Sequence, residues 1–428
     1  MNGDPTPHLF KTTDYGQTWK QLDTQSSDVR GYAHVIKEDT ANPSLLFLGT
    51  EFGLWVSMDG GTRWAQYTGS GFPNVAVRDI VVHPRTSDLV LATHGRGIWI
   101  IDDISPWRSL TPEVMKSDAV FLPNPTIIQY ISAGGGWPEG DNSFHGPGRP
   151  EDAHISYYQR SRHIFGDLKI EIFDDQGNFV DSVVSSKHRG VNRATWPMRL
   201  KPPKVPPAAS AMFQAAQGPR VLPGVYTVKM TKGDRTYTTK INIAMDPRAT
   251  YTLADRKEQL ALTLKLASVL NHMSWAVDAI VKVRDSALED ASRVDPKSKI
   301  HDGLVSLAEA ADTIRKEIVA TKEGGAITGE ERLREYVGDL YGDVSQFEGR
   351  PTNEQAARAD VLGRQLDDVV AEFNRLTADR LPGINAQLKD NKIALIEVLS
   401  EQEWQKTTAD SESAGTARPM RPAHSEKD

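Results

Sequence analysis

Two stretches of the chain follow one short pattern, and the distance between them constrains the fold. They read TTDYGQTWKQL, which begins at Thr12, and SMDGGTRWAQY, which begins at Ser57. In each, a Gly follows the Asp by two residues and a Trp follows it by five. Asp14 and Asp59 are 45 positions apart. A period of this length predicts an internal repeat whose copies bury apolar faces against one another.

The residues around the second copy align with a third copy. LLFLGTEFGLWVSMDGGTRW (45–64) lies over LVLATHGRGIWIIDDISPW (89–107) with single-residue gaps, and Asp59 falls on Asp103. Within the copies, short apolar runs are broken by Gly, Asn and Pro, which predicts strands and turns. Strand–turn–strand units of this period are typical of four-stranded β-propeller blades.

The repeated motif resembles the Asp-box of sialidase-type and sortilin-type propellers, S/T-x-D-x-G-x-T-W. The matching residues are Thr12, Asp14, Gly16, Thr18 and Trp19 in the first copy, and Ser57, Asp59, Gly61 and Trp64 in the second. We interpret them as structural. The Asp side chain accepts hydrogen bonds from backbone N–H groups, Gly permits a positive φ, and the Trp packs under the turn. In the second copy Arg63 replaces the Thr, and in the third no Gly follows Asp103.

Two and a half repeats cannot close a ring, because a propeller needs four or more blades. We therefore expect residues 1–110 to be the last blades of an incomplete propeller and the chain to be the C-terminal portion of a larger protein. The alternative is that another chain supplies the remaining blades.

Residues 111–250, the middle of the chain, are predicted to form an Ig-like antiparallel β-sandwich with Gly/Pro-rich loops, one of them at 132–154. Two hairpins are expected at 167–184 and 223–247, with a strand at 190–196 between them. These strands resemble the Ig-like module of flagellar hook-cap proteins. The resemblance rests on a G-x-N-x-x-x-W strand (Gly190, Asn192, Trp196) and a P-G-x-Y-x-V strand (Pro223, Gly224, Tyr226, Val228).

Helical periodicity begins after Leu253 and predicts an α-helical bundle over residues 251–405. Four apolar stripes recur at spacings of three and four residues, and Thr352 is placed to cap the fourth helix. Residues 406–428 are polar and predict a disordered tail. The fold class is therefore multidomain β plus α.

The most suggestive string for chemistry is ATHGRGIWIIDD, in which His94 and Arg96 lie between glycines at a strand end. These two side chains are candidates to face a ligand; the alternative is that the glycines shape a bulge and the polar groups bond to backbone. Adjacent Asp102 and Asp103 would point to opposite faces of a strand, so they cannot form a glycosidase carboxylate pair with each other. No catalytic residue, metal site or cofactor motif is predicted.

Composition excludes some classes of site. The chain has no Cys, which excludes disulfides, thiolate nucleophiles and Cys-ligated metals. A net charge of −7 argues against a nucleic-acid-binding surface. The first residues lack the apolar core of a signal peptide, and no run is long enough to predict a membrane span.

The order of Asp-box repeats, HGRGIW string, Ig-like module and helical bundle resembles the C-terminal portion of large bacterial proteins. These have a sortilin-like, BNR-repeat propeller and are often labelled glycosyl hydrolases. The resemblance implies an exported protein, periplasmic or extracellular, and a non-catalytic binding or scaffold role with a peptide, protein or glycan ligand. The alternative is a fragment of a xyloglucanase-like or sialidase-like glycoside hydrolase whose catalytic residues lie in missing N-terminal blades.

Overall fold

A computed structural model describes residues 4–130, 151–209, 215–322, 329–347 and 349–415. The chain combines β-sheets with α-helices, as predicted, and it divides into two compact units. The first unit comprises Met1–Ile128, Asp152–Pro197 and Gly224–Ala244; the second comprises Gln129–Glu151, Met198–Pro223 and Met245–Asp428. In the described ranges, no helix has the length and apolarity needed to cross a membrane.

The first unit begins with three antiparallel sheets, each formed by consecutive strands. The first sheet has two strands, β1 (Phe10–Lys11) and β2 (Lys20–Gln21). The second has four: β3 (Ala33–Glu38), β4 (Leu46–Thr50), β5 (Gly53–Ser57) and β6 (Ala65–Gln66). The third has β7 (Val77–Val82), β8 (Leu89–Thr93) and β9 (Ile98–Ile101).

The three sheets are stacked, because the second sheet is apolar on both faces. One face carries Leu48 and Trp55, which pack with Leu9 beside the first sheet. The opposite face packs against the third sheet. We call the face toward the preceding sheet the leading face, and the other the trailing face. The residues between the second and third sheets include Phe47, Leu54, Val56, Val77, Ile80, Val82, Leu89 and Leu91.

A buried ion pair ties the end of the third sheet back to the second. A 3-10 turn, Ser105–Ser109, follows β9 and carries Arg108. The Arg108 guanidinium donates two hydrogen bonds to the Asp39 carboxylate, 2.9 Å from Nε and 2.8 Å from Nη2. Trp107, in the same turn, packs against Phe47 and Tyr67.

Two further antiparallel sheets complete the first unit, after a short helix α1 (Pro112–Lys116). One sheet has the order β10 (Ala119–Phe121), β12 (Ala153–Gln159), β15 (Gly190–Trp196). The other has the order β11 (Ile127–Gln129), β17 (Arg235–Met245), β16 (Gly224–Lys232), β13 (Leu168–Phe173), β14 (Phe179–Val183).

The G-x-N-x-x-x-W strand is β15, and its polar and aromatic residues have local roles. Asn192 is buried; its amide donates to the carbonyls of His188 and Gly190 and accepts from the Ser186 hydroxyl. Trp196 is fully buried and lies edge-on to Tyr226 of β16, with ring centroids 5.3 Å apart. The two sheets therefore contact each other through this aromatic pair. The strand at 190–196 and both hairpins follow the sequence prediction.

The second unit contains five helices in its described residues: α2 (Leu253–Ala291), α3 (Lys299–Ile318), α4 (Leu333–Gln346), α5 (Asn353–Asp390) and α6 (Glu401–Gly415). Leu266, Leu307 and Phe373 are among the buried residues of one apolar core. Thr352 caps α5 and Gln355 completes its capping box, so the predicted cap is confirmed. The helix α6 extends into the stretch predicted as a disordered tail. Residues 416–428 of that tail and 132–150 of the Gly/Pro-rich loop lie outside the described residues.

Candidate functional site

The first Asp-box holds its own turn together. The Asp14 carboxylate accepts from the Thr12 hydroxyl at 2.7 Å, the Thr18 backbone N–H at 2.9 Å and the Thr18 hydroxyl at 2.6 Å. The Thr12 hydroxyl accepts from the N–H of Gly16, whose φ is 93°. Hydrogen bonds from Thr18 and Thr12 lower the pKa of Asp14 to about 2. The Asp14 carboxylate therefore has a structural role, which is to stabilise the conformation of its own turn.

The second Asp-box has the same bonds with one substitution. Ser57 donates to Asp59 at 3.0 Å and accepts from the N–H of Gly61, whose φ is 91°. The backbone N–H of Arg63 donates to Asp59 at 2.8 Å, and its Nε donates at 2.9 Å. The Arg63 guanidinium therefore makes the bond that the Thr18 hydroxyl makes in the first box. This explains how the second box retains its turn without the Thr.

The two Trp residues of the boxes differ in their surroundings. Trp64 is 6% exposed and packs in the cluster between the first and second sheets. Trp19 is 61% exposed, although it lies beneath its own turn with its ring 3.8 Å from the Cβ position of Gly16. The difference arises because a sheet covers Trp64, whereas the described residues place no sheet over Trp19.

His94 and Arg96 lie in the turn between β8 and β9, and both are exposed. Gly95 and Gly97 have φ values of 85° and 69°, which side chains other than glycine rarely adopt. The turn is closed by Thr93, whose hydroxyl donates to the Gly97 carbonyl at 2.6 Å. Asp102 and Asp103, whose pairing as glycosidase carboxylates was rejected from the sequence, lie just after the end of β9. Asp103 has a φ of 49°.

A polar cluster lies where the same end of the second and third sheets meets. His34, near the start of β3, contacts Glu51, just after β4, with Nε2 to Oε2 at 2.6 Å. Nη1 of Arg78, near the start of β7, lies 3.2 Å from Nδ1 of His34, and its Nη2 lies 3.6 Å from Glu51. An ionised carboxylate only accepts, so Nε2 carries the proton and, in the neutral ring, Nδ1 accepts from Arg78. We call His34, Glu51, Arg78 and His94 the rim cluster.

The rim cluster consists of equivalent positions in two successive copies of the repeat. In β3, Ala33 pairs with Thr50, and in β7, Val77 pairs with Thr93. The next residues along, His34 and Arg78, each lie in a bulge of the first strand of their sheet, which is an edge strand in both sheets.

The other two members of the cluster are equivalent in the same way. Glu51 and His94 each follow the paired Thr, and their backbone N–H groups donate to the carbonyls of Tyr32 and Ala76 at 3.1 and 2.9 Å. The repeat thus places polar side chains at one end of both sheets, and bulges of this kind commonly re-aim side chains near functional sites.

The charges around Glu51 favour its ionised form. A hydrogen bond from His34 is the largest cause that holds the pKa of the Glu51 carboxyl below its usual value. Partial burial acts against this shift, and the charges of Arg78, His34 and His94 add to it. Arg78 is about half-exposed, so its guanidinium can also donate to a group from outside the protein.

Close packing fixes the backbone beneath the cluster. Gly31 has a φ of 84°, and a Cβ there would lie 2.8 Å from Cβ of Glu51 and 2.8 Å from the ring of Phe52. Only glycine fits this approach. Phe52 and Tyr32 are themselves exposed beside the charged groups.

Sequence reasoning selected His94 but did not select His34, Glu51 or Arg78. The available signal was the repeat itself, because these residues fall at corresponding places in successive copies. In the described ranges, no group of three or more His, Asp or Glu side chains is arranged to hold a metal ion.

No family model matches this chain, and no curated protein sequence matches it. Solved structures that resemble it include the extracellular domain of a one-component system from B. thetaiotaomicron, with 12% identity and a TM-score of 0.19. Another is a GH74 enzyme of Niastella koreensis, with 16% identity and a TM-score of 0.20. Each match covers 56% of this chain. It covers 28% of the one-component-system domain and 42% of the GH74 enzyme. Likenesses of this size assign neither a family nor a function.

Proposed function

We propose that this chain is a non-catalytic binding portion of an exported, sortilin-like BNR-repeat propeller protein, and that its ligand contacts the rim cluster. The observation that carries this proposal is the meeting of His34, Glu51, Arg78 and His94 at one end of two stacked sheets. On this proposal, residues 1–110 are propeller blades, 111–250 an Ig-like module, 251–405 a helical bundle and 406–428 a tail.

The chemistry of the rim cluster favours a ligand that carries a carboxylate. Arg78 and the exposed Arg96 supply cationic donors, and Glu51 is already paired with His34. A guanidinium binds a carboxylate through charge-assisted, often bidentate hydrogen bonds. The exposed rings of Tyr32 and Phe52 can cover an apolar part of the same ligand. An acidic peptide or an acidic glycan fits this description.

The arrangement is better suited to binding than to glycoside hydrolysis. Hydrolysis commonly needs two carboxyl groups, one with a raised pKa to act as the acid. Glu51 has a lowered pKa, and the charged groups that act on it are His and Arg side chains. Asp14 and Asp59 are occupied within their turns.

The test is an array of acidic peptides and acidic glycans printed beside their neutral counterparts, probed with the intact chain. We expect binding to acidic members and its loss in R78A, while R85A, altered in the turn at the opposite end of β7, binds as the wild type does. Equal binding of acidic members and their neutral counterparts would contradict the proposal. Turnover of aryl glycosides or xyloglucan by this chain would also contradict it.

A further inference from the structure

Two loops of the first unit lie side by side and expose large apolar side chains. One joins β12 to β13 and the other joins β14 to β15; we call residues 160–167 and 184–189 together the basic loop pair. Ile164 and Phe165 of the first loop are 68% and 87% exposed, and Val184 of the second is 92% exposed. Single exposed apolar residues are ordinary, but a group of them in adjoining loops indicates an interaction surface.

Hydrogen bonds between the two loops hold the exposed residues in place. The backbone N–H of His163 donates to the Lys187 carbonyl at 3.0 Å, and Nζ of Lys187 donates to the Gly166 carbonyl at 2.8 Å. The Ser185 hydroxyl donates to the carbonyl of Leu168, where β13 begins. These backbone groups on both sides of the exposed apolar pair are therefore bonded within the protein, which lowers the cost of moving the pair out of water.

The same two loops concentrate positive charge on an acidic chain. They contain Arg160, Arg162, Lys187 and Arg189 but one acidic residue, Asp167. The whole chain, in contrast, carries a net charge of −7. Arg162 and Arg189 are exposed, so their guanidinium groups can meet a partner from outside the protein. A local excess of positive charge of this kind favours contact with a negatively charged surface.

We propose that the basic loop pair binds the surface of an anionic phospholipid bilayer. The Arg and Lys side chains meet the headgroups, and Phe165 and Ile164 enter the boundary with the acyl chains. A bilayer accepts the charges at one depth and the apolar side chains just below it. An acidic polymer would pair with the charges and leave the two apolar side chains in water. This surface shares no residue with the rim cluster and does not depend on the ligand proposed there.

The test is co-sedimentation of the intact chain with vesicles. One set is phosphatidylcholine alone, and the other is an equimolar mixture of phosphatidylcholine and phosphatidylglycerol. The wild type is expected to bind the anionic vesicles and not the neutral ones. Added salt should weaken this binding, because it screens the attraction between the basic side chains and the headgroups.

A pair of variants tests the apolar contribution. F165S should lower the affinity for anionic vesicles by at least about tenfold, because the aromatic side chain that leaves water is lost. F10S is the matched control, since Phe10 is also exposed, at 56%, but lies outside the basic loop pair. This control should bind as the wild type does.

A second pair tests the charge. R162Q/R189Q should lower the affinity by about twenty- to thirtyfold, because each Lys or Arg near an anionic surface contributes roughly fivefold. K257Q/K389Q makes the same change in net charge on exposed residues of α2 and α5. It should leave the binding unchanged.

A fluorescent label distinguishes insertion from charge attraction alone. The chain has no Cys, so S161C and A378C each accept one environment-sensitive fluorophore. Ser161 lies in the first loop, and Ala378 is exposed on α5. Anionic vesicles should shift the emission of the label at 161 to the blue and leave the label at 378 unchanged. An unshifted label at 161 on vesicle-bound protein would contradict insertion of the loop.

Four results of the binding assay would each overturn the proposal. They are equal binding to both vesicle types, a loss in F10S as large as that in F165S, unchanged binding of R162Q/R189Q, and no binding of the wild type to either vesicle. The last result would leave an acidic protein as the candidate partner of this surface.

Discussion

Removal of the Arg108 side chain should destabilise the first unit more than removal of an exposed arginine. The Asp39 carboxylate is fully buried, and the Arg108 side chain is largely buried. Besides its two bonds to Asp39, Arg108 donates to the Ser87 hydroxyl at 2.9 Å. Removing one partner of a buried ion pair costs about 3–5 kcal/mol, because the other charge stays buried without its counter-ion.

The value expected for R108A is at the lower end of that range, about 3 kcal/mol, because Asp39 retains two other donors. The backbone N–H groups of Ala41 and Asn42 donate to it at 3.0 and 2.8 Å. R108K should lose less, since it keeps the charge but not the fork that bonds both carboxylate oxygens.

The same pair gives a pH dependence with a defined sign. Burial would raise the pKa of Asp39, but hydrogen bonds from Arg108, Ala41 and Asn42 hold it below its ordinary value of 3.8. Because the pKa of Asp39 is lower in the folded than in the unfolded protein, its ionisation stabilises the fold at pH values above the unfolded-state pKa. This stabilisation is lost as the pH falls through the folded-state pKa. In R108A the hydrogen bonds from the guanidinium are lost, so burial raises the pKa of Asp39. Acid unfolding should therefore begin at higher pH than in the wild type.

Urea denaturation followed by Trp fluorescence measures the effect, since Trp107 precedes Arg108 in the same 3-10 turn and its ring packs against Phe47. The control is R63A, which removes an exposed guanidinium from Asp59 and should cost less than about 1 kcal/mol. The reasoning is refuted if R108A and R63A shift the urea midpoint equally, or if R108A leaves the acid transition unchanged.

Three further perturbations test the packing. G49A should destabilise by about 1–3 kcal/mol in urea melts, since its Cβ would lie 2.5 Å from the Val77 carbonyl oxygen; G224A, also in a strand but with open space, should change stability by less than about 1 kcal/mol. D59A should lower the melting temperature more than D14A, because the Trp under the second turn is buried and the Trp under the first is exposed; equal shifts would contradict this account. L307A should cost about 2–5 kcal/mol in the helical unit by far-UV circular dichroism, as Leu307 is fully buried in its core, and a loss under 1 kcal/mol would contradict the packing.

Periodicity predicted the secondary structure well where it was strong. The alternation in β13 and β16 and the three-to-four spacing in the long helices gave the correct element types. The prediction of a disordered tail after residue 405 rested on polar composition alone, and it was wrong for the first part of that stretch. The helix α6 begins before it at Glu401 and continues to Gly415. The first turn of α6 is held to α2, because Nε1 of Trp404 donates to the Asp278 carboxylate at 2.7 Å, and the helix continues from there into a sequence that has no apolar stripe.

The rim cluster was only partly predictable, for a physical reason. His34 and Glu51 are 17 residues apart in sequence, and Arg78 comes from the next sheet. Their contact depends on two bulges and on the stacking of two sheets, neither of which is visible in local spacing. His94 attracted notice because glycines flank it, whereas Glu51 stands in an ordinary strand–turn sequence.

The most direct test of the binding proposal is the affinity of an acidic peptide and of its Gln-substituted counterpart for the wild type, R78A and R85A. The account predicts that the wild type prefers the acidic peptide, and that R78A loses about tenfold to a hundredfold in affinity for it, the value of a charge-assisted hydrogen bond. R85A should match the wild type. Equal affinity of R78A and the wild type for the acidic peptide would contradict a ligand site at the rim cluster.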